Sequence, residues 1–346
     1  MLSKTRLPSR RSAALLLLVA GGVSLLLWGL LLGRAKAAST PASPTTGVVN
    51  VETRLGYEQG AAAGTGIVLA SSGEVLTNNH VIRGATTIRV VDPGTGRSYA
   101  ATVLGYSVSA DVAVLRLSGA SRLRTATIGD SSKVRVGAAV TAVGNAGGQG
   151  GTPTVVTGTV TGLHQSITVG DDRGGATRLT DLIRTNADLE PGDSGGPLLD
   201  SSRRVIGMDT AASAGFAFRG SGSGDGFAVP IGRAMTVVKQ IESRRSSATV
   251  HIGPTSFIGI SAGDPDDTTV AGALVGGVLT GSPAASVGLV AGDVITSIGG
   301  RSVASATALV NALLRTSPGQ PLLVRWWDQT GHSRSGTIRP VAGPPQ

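Results

Sequence analysis

The chain has 346 residues, 40% hydrophobic and 15% charged, with 52 glycines, 3% aromatics and no cysteine. That length suits about two domains with buried cores, and the missing thiol excludes a disulfide framework, a thiolate zinc site and a cysteine nucleophile. The net charge of +9 is uneven: Lys4, Arg6, Arg10, Arg11, Arg34 and Lys36 precede any acid, and the other 24 basic residues face 21 acidic ones, so no nucleic-acid partner is expected.

In chain order, Ala13 to Gly33 is an uncharged, Leu-rich run flanked by basic residues, more of them before it than after. About 20 apolar residues span a bilayer core, and the charge bias keeps the N-terminus inside and sends the rest out. Two readings stay open for residues 1–37: a retained transmembrane anchor, or a signal peptide cleaved after Ala37 in the small-x-small run Ala35-Lys36-Ala37. Residues 38–47 (ASTPASPTTG) are a Ser/Thr/Pro-rich linker.

Residues 48–245 read as one all-β domain. Short apolar runs (66–69, 87–91, 112–117, 140–143, 155–162, 205–208) alternate with Gly, Asn, Asp and Ser, the pattern of a barrel or sandwich. Met235, Val238 and Ile241 recur at helical spacing, which predicts a closing helix over 231–244. After a joint at 246–254, residues 255–342 form a smaller α+β unit. It has expected strands at 257–260, 273–279, 293–298 and 321–326 and an amphipathic helix at 305–314.

Three motifs carry chemistry: His80 in TNNHVI, Asp111 opening the run DVAVL, and Ser194 in PGDSGGP. Singly, each has an ordinary structural reading as a cap, a turn residue or a tight turn. Together, in the order His, Asp, Ser and within one β-domain, they match the triad order of double-barrel proteases. A serine hydroxyl needs an adjacent base, the role of His80, and a carboxylate must fix the imidazole tautomer, the role of Asp111. Glycines around Ser194 let the N–H groups of Gly192 and Ser194 converge as an oxyanion hole. His164, His251 and His332 read as solvated or structural. No acidic cluster has ligand spacing, so no metal or organic cofactor is expected.

TNNHVI, DVAVL and GDSGGPLL resemble the HtrA/DegP-type serine proteases, and the second unit resembles their PDZ domain. Asn145 to Pro153, Gly226 to Pro230 and His251 to Pro254 look like the single-PDZ, membrane-associated envelope members of the PepA kind. The resemblance implies a chymotrypsin-like double β-barrel followed by a PDZ domain. It implies an ATP-independent endopeptidase outside the cytoplasm, acting on unfolded or damaged proteins and assembling as trimers. It also implies that Thr210, Ala211 and Ala212 pair with substrate, and that Phe257, Ile258, Gly259 and Ile260 form a loop capturing peptide C-termini.

Two departures stand out. Asp193 replaces the Asn that many relatives carry before the serine, so a buried ion pair or hydrogen bond is expected there. Asp188 falls six residues before Ser194; facing the specificity pocket it would favour a basic P1 residue, whereas pointing to solvent it leaves Leu189 to line an apolar pocket. The rival reading is a non-catalytic envelope chaperone or PDZ-based scaffold.

Overall fold

Apolar side chains at alternate positions, separated by turn-forming residues, give strands that must each bury one face, and here they do so by closing on themselves. The computed structural model describes residues 43–57, 59–170, 176–210, 218–219, 225–265 and 270–346. The expected export segment, Ala211 and Ala212 lie outside these. Among the described residues no helix is long and apolar enough to cross a membrane.

The first barrel comprises β1 (Val48–Leu55), β2 (Gly60–Ala70), β3 (Glu74–Thr77), a one-turn helix α1 (Asn79–Ile82), β4 (Thr87–Asp92), β5 (Arg97–Ser107) and β6 (Val112–Leu117). Its strand order is β5-β4-β1-β2-β3-β6, and β6 pairs back onto β5. Val51, Val68, Val75, Val90 and Leu115 fill it.

The second comprises β7 (Ala139–Gly144), β8 (Thr154–Gly170), β9 (Ala176–Thr185), β10 (Pro197–Leu199), β11 (Val205–Thr210), β12 (Phe218–Arg219) and β13 (Gly226–Pro230). The order β8-β7-β10-β11-β13-β9 closes through β8 and β9. The helix α2 (Ile231–Glu242) packs Ala234, Val238 and Ile241 into a core shared by both barrels, with Leu76 and Val114 from the first and Met208 and Val229 from the second.

Beyond the barrels, β14 (His251–Ile252) pairs with β5, and β15 (Thr255–Phe257) leads to the smaller unit. There, β16 (Ile260–Gly263), β17 (Ala273–Val278), α3 (Pro283–Ser286), β18 (Val294–Ile298), β19 (Arg301–Ser302), α4 (Ala306–Leu313), β20 (Leu322–Trp327) and β21 (Ser333–Ile338) enclose Ile258, Val275, Ile295, Leu309 and Trp326. The expected helix at 305–314 is α4, capped by the Ser305 hydroxyl, which accepts from Ala308 N. The single strand expected over 257–260 is instead broken: Gly259 has φ +81° and separates β15 from β16.

The last strand, β22 (Val341–Gly343), pairs with β15 and delivers the buried Pro344 and Pro345 to the first barrel. Gly84 N donates to Pro345 O at 2.8 Å, Asn79 Nδ2 to Gln346 O at 3.0 Å and Gln346 N to the Tyr106 hydroxyl at 3.2 Å. This strap holds the first residue of α1 and the chain two residues beyond its end. Tyr106, 1% exposed, also bonds Thr255 Oγ1 at 3.0 Å, and burial pushes its phenol pKa up. Tyr106→Phe is expected to cost about 1–3 kcal/mol, because Gln346 N and Thr255 Oγ1 lose their common partner. A urea midpoint equal to that of wild type would show that the hydroxyl does not fasten the strap.

Candidate active site

α1 follows β3 directly, and its position is set by side chains just ahead of it. Thr77 Oγ1 donates to Thr65 O at 2.7 Å, and Asn78 Nδ2 donates to Asp111 O at 2.9 Å. Asp111 sits at φ +53°, a left-handed conformation that a short polar side chain tolerates and most L residues do not. This turn ahead of β6 aims its carboxylate at α1: Oδ1 accepts from His80 N at 3.0 Å, and Oδ2 accepts from His80 Nδ1 at 2.8 Å. Thr210 Oγ1, at the end of β11, donates a third bond to Oδ2 at 3.1 Å. The tautomer this arrangement selects carries its proton on Nδ1 and its lone pair on Nε2.

Ser194 lies on the turn between β9 and β10 and is 1% exposed. The turn is possible because Gly192 (φ +103°) and Gly195 (φ +86°) adopt conformations closed to other residues. They also pack without a side chain: a Cβ on Gly195 would stand 2.1 Å from Thr65 O, and one on Gly192 would stand 2.1 Å from Asn145 O. Thr65, on β2, fastens the turn to the first barrel. Its N donates to Ser194 O at 2.8 Å, and its hydroxyl donates to Gly192 O at 2.7 Å while accepting from Asn145 N at 2.9 Å. Gly195 N donates to Asp209 O at 2.8 Å, tying the turn to the strand whose next residue, Thr210, holds Asp111. Gly147 N donates to Pro191 O at 2.7 Å, and the planar trans peptide then directs Gly192 N–H the opposite way. An open groove of about 800 Å³ runs from Pro191 and Gly192 along Ala61, Ala62 and Ala63 to Tyr99.

His80, Asp111, Ser194 and Thr210 are thus stitched together across the two barrels. Asp188 is exposed, while Leu189 is half-buried and packs over Gly226. Asp193 accepts from Glu190 N at 2.9 Å through Oδ2 and has no ion pair among the described residues, so the expected buried contact is the hydrogen bond. Burial, followed by repulsion from Glu190, raises its pKa. In the smaller unit, Phe257 stacks on Tyr57 with ring centroids 4.9 Å apart. Ile258 is buried in the core, and Ile260 opens β16 after the Gly259 break. His164 pairs with Asp181 on the surface, His251 Nδ1 meets Leu314 O at 3.1 Å, and His332 lies beside Thr330 and Asp328. Thr65, Thr77 and Asn145 escape sequence reading. The only signal for Thr65 is a lone hydroxyl between two glycines in a strand.

Comparison with known proteins agrees with this geometry. Residues 64–208 match the trypsin-like peptidase domain family and residues 274–328 the PDZ domain family. Over 303 residues the chain is 33% identical to serine protease PepD of Mycobacterium tuberculosis, covering 83% of this chain and 62% of that protein. It is 36% identical over 281 residues to a probable periplasmic serine endoprotease, DegP-like, of Brucella suis, covering 79% and 52%. It is 31% identical over 291 residues to the serine protease Do-like HtrA of Lactococcus lactis subsp. lactis, covering 81% and 70%. The chain therefore spans between half and two thirds of the length of the first two relatives. The fold and site define a trypsin-like peptidase domain joined to a PDZ domain. The chain belongs to the HtrA (Do-like) family of serine proteases.

Thr65→Val preserves shape but removes the acceptor of Asn145 N and the donor to Gly192 O. Loss of about 1.4 kcal/mol of local stability corresponds to a tenfold change in opening. The Asn145 amide is therefore expected to exchange with solvent at least tenfold faster in the variant; an unchanged rate would remove Thr65 as the fastener of this turn.

Proposed function

We propose that this chain is an ATP-independent serine endopeptidase of the cell envelope. In this reading residues 48–245 cleave unfolded or damaged proteins through an acyl-enzyme and residues 255–342 bind peptide C-termini. The observation that carries it is the His80–Asp111 bond of 2.8 Å, buried in the seam to which Thr65 fastens the Ser194 turn.

The steps follow from these positions. His80 Nε2 takes the proton from Ser194 Oγ as that oxygen attacks the scissile carbonyl carbon, and Asp111 stabilises the imidazolium without itself taking the proton. The N–H groups of Gly192 and Ser194 receive the negative charge that develops on the carbonyl oxygen, where loss of one such donor costs on the order of 100- to 1000-fold in rate. His80 then protonates the leaving amine, and a water molecule it activates releases the acyl group. Substrate enters as an extended strand beside Thr210, with the leaving side along the groove at Gly192. Leu189 favours an apolar P1 side chain.

Location outside the cytoplasm is supported by the Ala13 to Gly33 segment and by the periplasmic description of the Brucella relative. Membrane tethering through that segment and assembly of three copies belong to the same reading, resting on its length and on the family resemblance. Peptide capture by Phe257, Ile258, Gly259 and Ile260 rests on the PDZ match and the backbone break at Gly259.

The test is casein cleavage by the full chain. Wild type is expected to cleave and Ser194→Ala and His80→Ala to fall at least about 1000-fold. Binding of unfolded casein without cleavage by wild type would favour the scaffold reading instead. On a mixed peptide library, apolar P1 cleavage unchanged in Asp188→Ala is expected; an Arg/Lys preference abolished by that change would overturn the apolar pocket.

A further inference from the structure

Behind Ser194 lie two acids that the proposed reaction does not use. Asp209 is 0% exposed and neither of its carboxyl oxygens has a hydrogen-bond partner among the described residues; Asp193 is 3% exposed and its Oδ1 has none among them. Their backbones interlock: Asp209 O accepts from Gly195 N, Asp209 N donates to Gly196 O, and Gly196 N donates to Asp193 O, at 2.8, 2.8 and 2.9 Å.

The charged groups around the pair are themselves mostly acidic. Glu190 bears on Asp193, and Asp111, engaged with His80, lies one residue beyond Asp209 through Thr210. Facing Asp209 on β13 is Ala228, and from α2 the side chain of Arg233 is occupied at Thr180 O and Ser109 O while Lys239 and Glu242 are exposed. An unpaired carboxylate in such a place is very costly and is avoided by keeping the proton. In agreement, burial and then Asp193 hold Asp209 well above the ordinary carboxyl range.

We propose that Asp209 is a positioning residue for Ser194: it works in its neutral, protonated form, and release of that proton to solvent unfastens the nucleophile turn and switches the site off. The inference rests on the protease reading above. The turn yields rather than the strand because β11 is hydrogen-bonded on both edges, to β10 and β13, whereas Asp193 and Ser194 sit between Gly192 and Gly195, both of positive φ. A second charge beside Asp193 therefore displaces Asp193 and, with it, Gly192 N–H and Ser194. The sign for stability follows: above the ordinary value of 3.8 the folded state holds the proton more tightly than the unfolded chain, so stability falls with rising pH until the folded Asp209 has ionised.

The experiment uses the full chain. Peptide cleavage is followed from neutral to alkaline pH for wild type, Asp209→Asn and Asp193→Asn, alongside infrared spectra with ¹³C-labelled aspartate. Wild type is expected to lose at least tenfold of its maximal kcat reversibly at alkaline pH, and Asp209→Asn to keep more than half of its own maximum there. Asp193→Asn should shift the loss of the Asp209 carboxyl band to lower pH, because the neighbouring charge that helps hold its proton is gone. A protonated carboxyl band should be present in wild type at pH 7 and absent in Asp209→Asn. Superimposable alkaline limbs, or no such band in wild type, would overturn the proposal. A wild type that neither cleaves nor reacts with a fluorophosphonate at any pH would instead refute the protease reading, and the infrared band would still decide the state of Asp209.

Discussion

The Asp111 carboxylate is the constraint on which the active-site region depends. A buried carboxylate must be surrounded by donors, and Asp111 finds three: His80 N, His80 Nδ1 and Thr210 Oγ1. Two belong to α1 of the first barrel and one to β11 of the second, so satisfying one charge fixes the register of the barrels at the seam. The unusual φ of Asp111 is backbone strain held where its side chain is needed.

Ser194 is brought to that seam largely by bonds to the backbone of its turn. Thr65 engages Ser194 O and Gly192 O, Gly195 bonds to Asp209, and Gly147 engages Pro191 O. The bonds come from three elements, so the turn is fixed from the first barrel, from β11 and from the 145–153 segment. Preorganised donors stabilise developing charge without reorganising during the reaction. The strap through Pro345 and Gln346 extends the same network, linking the PDZ side of the chain to residues flanking His80.

What was legible in the sequence depends on how local the cause is. Strands such as Val112–Leu117 and the capped helix Ala306–Leu313 follow from short-range periodicity and a single Ser cap, and both are read within a residue or two. His80, Asp111 and Ser194 stand out in the sequence because the proposed chemistry restricts the residue type and their order restricts the fold. β1 and β9 are less legible: β9 (ATRLTDLIRT) lacks a strict polar–apolar alternation, although its partner β8 is the strand just before it. Thr65, Asn145 and Asp209 were invisible for a different reason. An ordinary Thr, Asn or Asp gains its meaning only from backbone groups that distant segments bring to it.

The most direct measurement is the intact mass of the full chain after reaction with a fluorophosphonate, followed by peptide mapping. On the proposed mechanism the chain should acquire one adduct, mapped to Ser194 and lost in His80→Ala. A folded chain that acquires no adduct, or carries it on another residue, would contradict the account.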